Sequence, residues 1–184
     1  EHNPSARLAG GYYEDYVFLR ANVYLAWRQL PFAKRDLEAL RTSARFSGAA
    51  SEKLGALLLA EANTARGDAK SPTGLAQARQ AYRAALDLPS AGLRAQLGLA
   101  ETYLDEASLN RQDRDRRENF RNSRREYDLA VQLAHSQADA ALKRQAFEGR
   151  GRAAFELARL EGDAATLENA ISDLSQAADQ ETGL

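Results

Sequence analysis

The residues able to do chemistry in this chain are few, and their spacing does not favour catalysis. There are two histidines, His2 near the start and His135 at a turn. Neither has a second histidine or a cysteine close by to complete a metal site. Cysteine is absent, which removes thiolate nucleophiles, disulfides and thiolate-bound metals. Gly149-x-Gly151 falls inside a helical stretch with no strand before it, so no phosphate cradle is encoded. Carboxylates are plentiful, but no spacing pairs two of them away from a wet face. The expectation is a non-enzyme with no metal and no cofactor.

The densest charge is RQDRDRRENFRNSRRE, residues 111–126. Arg114, Arg117, Arg121 and Arg125 follow one another at spacings of 3, 4 and 4, so they form one stripe on a helix. Phe120, Tyr127 and Ala130 fall on a different, core-directed face. Such a stripe could grip phosphates or an acidic partner. Asp113, Asp115 and Glu118 are in reach of Arg117, Arg111 and Arg114 for pairs one turn apart, the pattern of a solvated helix face. The net charge of -1 and pI near 6.2 exert no global pull toward nucleic acid. Binding of nucleic acid or an acidic partner through 111–125 is therefore the alternative expectation, and a protein segment is the leading one.

A third cluster is aromatic. Tyr16, Tyr24 and Trp27 recur at helical spacing, beside Tyr12, Tyr13 and Phe18. Tyrosine and tryptophan dominate interface hot spots, but at this position a cap sealing the first hairpin is the preferred reading, leaving Tyr12 and Tyr13 for contact.

The elements that must position these groups are helices. The chain holds 37 Ala and 26 Leu against 3 Val and 1 Ile, too few β-branched residues to build a sheet. Breakers divide it into about eight helices: 11–29, 31–46, 50–66, 74–88, 91–108, one ending near Ala134, one from Ser136 to Leu160, and 165–180, after a loose lead-in over 1–10. Ser71-Pro72 and Ser90 supply cap signals. Connections are short, so successive helices should be antiparallel neighbours, four hairpins in a single domain spanning 1–184.

A register repeats through these hairpins. Ala78-Tyr82-Ala85-Leu86, Ser123-Tyr127-Ala130-Val131 and Ala170-Leu174-Ala177-Ala178 share one helical spacing, with 45 and 47 residues between successive central positions. Ala33-Leu37-Leu40 matches more weakly, 45 residues before Tyr82. A period of this size marks a stacked array. The register, with Leu54-Gly55 and Leu97-Gly98 in first helices and with Ala100 and Pro89, resembles the tetratricopeptide repeat (TPR) family. The resemblance is good over about 50–134 and loose outside it. Units near 45 residues exceed the 34 of that family, and Glu101 stands where it prefers a bulky apolar residue.

The resemblance implies an all-α, α-α superhelix whose first helices line a concave face. On it, residues around Gly55 (Glu52, Ala56, Leu59, Asn63) and around Gly98 (Ala95, Leu99, Thr102, Tyr103) face inward, with Glu148, Arg152 and Phe155 nearest in the third unit. The implied partner is an extended or helical protein segment with apolar anchors; self-association stays open. No stretch of 18 apolar residues is present, so no membrane span is expected. The lack of methionine, even at position 1, reads as a processed or trimmed chain from which any signal peptide or anchor would already be gone. With the lack of cysteine, it tilts the expected location toward a bacterial periplasm or envelope over the cytoplasm.

Overall fold

The computed structural model describes residues 12–64, 71–86, 92–135 and 139–182. These residues form eight α-helices and no strand: α1 Tyr12–Ala26, α2 Leu30–Ala39, α3 Ser47–Thr64, α4 Pro72–Leu86, α5 Leu93–Leu109, α6 Asp113–His135, α7 Ala140–Glu161 and α8 Ala164–Thr182. The lead-in 1–10 and the cap candidates Ser90 and Ser136 lie outside the described residues. None of the described helices is long and apolar enough to cross a membrane.

Local chemistry sets the helix ends. Ser71 Oγ accepts from the Gly74 amide at 3.2 Å, so Ser71-Pro72 starts α4 as its sequence suggests. Asp139 accepts from the Leu142 amide and starts α7, which Gly162 closes at φ 70. The second helix departs from expectation by stopping at Ala39, well before Phe46. Ser43 intervenes: its hydroxyl accepts from the Arg45 and Phe46 amides, turning the chain into α3.

Each helix packs on the next along the chain, and the first helices also meet directly, α3 with α5 and α5 with α7. One apolar cluster joins Val17 and Ala21 through Leu37, Leu54 and Tyr82 to Ala95, Leu99 and Tyr103. A second takes the other edge of α5 (Leu93, Leu97, Ala100) and joins it to Tyr127, Phe147 and Ala177. A third joins Leu104 and Ala107 of α5 to Phe120, Ala153 and Leu157, so α5 contributes to all three.

Polar clamps recur inside the hairpins, next to the register residues. Arg20 of α1 donates to both carboxylate oxygens of Asp36, at 2.6 and 2.8 Å. Gln96 of α5 donates to Glu126 at 2.7 Å, and Arg150 of α7 donates to Asp173 at 2.8 Å. Asp36, Glu126 and Asp173 immediately precede Leu37, Tyr127 and Leu174. Each clamp ties the first helix of a hairpin to its second at the crossing point. The bonds to the charged partner raise the Arg150 guanidinium further above its ordinary range, Asp173 being the main cause.

The N-terminal aromatics depart from the sealing role. Tyr24 packs on Phe32 and Phe18 stacks on Phe46, but Tyr16 and Trp27 are exposed, along with Tyr12, Leu19 and Val23. Helical spacing groups these side chains on one face, but no neighbouring helix among the described residues covers it.

Candidate binding groove

The side chains of the register residues decide how the hairpins stack. Tyr82 and Tyr127 are both buried, at 3% exposure each. The Tyr82 ring is bracketed by two glycines. A Cβ on Gly55 of α3 would stand 2.7 Å from the ring, and one on Gly98 of α5 would overlap it. Tyr127 fills the equivalent space beside Gly149 of α7, and Leu174 abuts Gly151. The mid-helix Gly149-x-Gly151 pair is thus structural. Its signal in the sequence was its cost, since glycine inside a helix loses about 1 kcal/mol against alanine unless close packing needs it.

These contacts correct the register of the first helices. Leu54-Gly55 and Leu97-Gly98 look like equivalent pairs 43 residues apart. Gly55, however, meets the register residue of its own hairpin, Tyr82, as Gly151 meets Leu174, whereas Gly98 meets that of the hairpin before, as does Gly149, which lies two residues ahead of Gly151. Leu54 therefore corresponds to Leu99, two residues beyond the position that the Leu-Gly match assigns. That shift turns four expected lining residues inward: Ala95, Leu99, Thr102 and Tyr103 are all buried. Thr102 Oγ1 donates to the Leu99 carbonyl at 2.7 Å. Tyr103 lies beneath the Arg79 guanidinium, 4.5 Å from ring centre, and its hydroxyl accepts from Arg83. Both arginines belong to α4, so Tyr103 mortars one hairpin to the next and offers nothing to a partner.

The other expected residues fare differently. Glu52 is half-buried, while Glu148 and Arg152 are exposed. The side chains of Leu59 and Asn63 lie outside those described. In the corrected register the open face of α5 includes Glu101, the residue that departs from the family pattern. That polar departure was the available clue.

A groove of about 300 Å³ runs over α3, α5 and α7. Ala56, Tyr82, Leu97, Gly98 and Leu142 form its apolar part, and Glu52, Lys53, Arg94, Glu101 and Gln145 surround them. Lys53, Arg94 and Gln145 escaped the sequence reading, because each is an ordinary polar residue on a helix face. Burial pushes the Glu52 carboxyl above its ordinary range, opposed by Arg94 and Lys53. Burial also pushes the Tyr82 phenol upward, followed by Glu101 and Glu52. Burial is again the main cause for Tyr127, with Glu101 and Glu148 adding to it and Arg152 opposing. Charges from α3, α5 and α7 thus act on the two buried rings.

The arginine stripe of α6 has other partners. Arg121 bonds Glu161 of α7, and Arg117 donates to the Asp113 carbonyl at 3.2 Å. Asp113 pairs with Arg116 at 3.2 Å, not with Arg117 as the spacing suggests. His135 donates from Nδ1 to the Val131 carbonyl at 2.6 Å and sets its ring edge against Phe147. No family model and no curated protein matches this chain.

Proposed function

We propose that this chain is a non-enzymatic, TPR-like α-α superhelix that holds a segment of another protein on the face shared by α3, α5 and α7. The superhelical reading is supported by the order of contacts, sequential between neighbours, with further contact between first helices from α3 to α5 and from α5 to α7. It is also supported by the recurring tyrosine–glycine fit.

The observation that carries the binding reading is the groove itself. It crosses two hairpin boundaries, and its apolar part is rimmed by charges of both signs from separate helices. Its polar rim, with Glu148 and Arg152 beyond it on α7, suits a peptide backbone and its polar side chains. Glu52 is the costliest of these groups: a half-buried carboxyl with a raised pKa is a group that a ligand donor would relieve.

The test is selection of peptides from a random displayed library against the intact chain, repeated against Glu101→Lys and Arg94→Glu. Enriched peptides should lose about tenfold or more in affinity for either variant, a loss of 1.4 kcal/mol or more, while helical circular dichroism is retained. Peptides that bind both variants as they bind the parent would place recognition elsewhere and end this reading.

A further inference from the structure

The face that carries the groove continues along α5 past Glu101 to Leu104 and Ser108, and there a second cleft opens. Its volume is about 360 Å³ and four helices line it: α5, α6, α7 and α8. Three arginines line it, Arg116 from α6 and Arg152 and Arg159 from α7, with a single carboxylate, Glu156. Apart from Ser108 its remaining walls are apolar, Phe120 and Leu104 from the buried core with Phe155 and Leu174 at the mouth.

The three arginines are not equally engaged. Arg116 is paired with Asp113 at 3.2 Å, and Arg159 with Glu156 at 2.8 Å. Arg152 makes no ion pair or hydrogen bond among the described residues, and it is exposed. A guanidinium presents a planar fork of donors that matches two oxygens of a carboxylate or phosphate. Guanidiniums from two helices around an apolar wall form a receptor for an oxyanion attached to an apolar group. An uncharged apolar ligand would leave the excess positive charge unmet, and a bare anion would leave the phenylalanine wall unused.

We propose that this cleft binds a small oxyanion, carboxylate or phosphate, carried on an apolar body of about the size of one aromatic ring. Arg152 is the principal donor, Arg116 and Arg159 assist it, and Phe155 and Leu174 cover the apolar part. The inference stands on the geometry of this cleft and does not require that a protein segment occupy the neighbouring groove.

The test uses the intact 15N-labelled chain titrated with phenylacetate, phenyl phosphate, inorganic phosphate and the neutral phenylacetamide, read from arginine Nε–Hε resonances. At least one phenyl anion should shift the Arg152 resonance saturably, and whichever binds more tightly distinguishes carboxylate from phosphate. Arg152→Gln should weaken that binding about tenfold, as expected for one charge-assisted hydrogen bond. Arg116→Gln provides a second variant, should Arg152→Gln lower the melting temperature. Failure of both phenyl anions to bind, phenylacetamide binding as well as phenylacetate, or affinity unchanged in both variants would overturn the proposal. Inorganic phosphate binding as tightly as phenyl phosphate would overturn its apolar half.

Discussion

The ring of Tyr127 occupies the space in which a Cβ on Gly149 would stand. The same relation joins Tyr82 to Gly98, one hairpin earlier. In each case the second helix of one hairpin inserts a phenol ring against the bare backbone of the next first helix. The rings set the separation between hairpins, and the glycines make that separation possible.

Gly98→Ala and Gly149→Ala should therefore destabilise the chain, although alanine favours helix by about 1 kcal/mol. Forcing a methyl group into a filled space costs about 1–3 kcal/mol, and the ring is too closely held to swing away. The urea midpoint should fall for both variants. A rise for either would mean that its tyrosine packs elsewhere.

Arg150 bridges Asp173 on α8 and Asp128 on α6. Asp173 has only 9% of its side chain exposed. Arg150→Ala strands that carboxylate and should cost about 3 kcal/mol. Asp173→Asn should cost less, because Arg150 keeps Asp128. Denaturant unfolding of the two variants checks the order; equal losses would show that the bridge to Asp128 contributes little.

Glu52 supplies a pH dependence whose sign can be worked out. Its pKa is raised in the folded chain, chiefly by burial. The folded state then binds more protons than the unfolded one, so the contribution of this group to stability is complete below the ordinary carboxyl range and declines as pH rises through the folded value. Glu52→Gln removes the penalty. It should raise the melting temperature at neutral pH, with the gain vanishing below about pH 4. A gain that persists undiminished in acid would assign the effect to packing.

The arginine stripe of α6 should be dispensable for folding. Arg121 is mostly exposed at 62% where it meets Glu161, and exposed pairs contribute about 0–1 kcal/mol. Arg117→Ala combined with Arg121→Ala should leave the melting temperature nearly unchanged. A large drop would give the stripe a structural role; retained folding with lost binding to RNA or an acidic peptide would restore the stripe as a functional surface.

The amino-acid sequence by itself determined the helices, because an alanine- and leucine-rich chain nearly devoid of valine and isoleucine leaves no other regular structure. It also determined that Tyr82 and Tyr127 are buried, since the small residues flanking each ring repeat on one helical face. Which neighbour fills each face was decided only by tertiary packing. Leu54-Gly55 and Leu97-Gly98 are alike as local patterns, yet Gly55 clears the ring of its own hairpin and Gly98 that of the hairpin before. Periodicity assigns a side chain to a direction around its helix axis, but it carries no information about the helix that stands in that direction. For that reason Leu99 and Tyr103 moved from the expected lining into the core, Glu101 took their place on the open face, and Tyr16 and Trp27 remained uncovered although their spacing is that of a buried stripe.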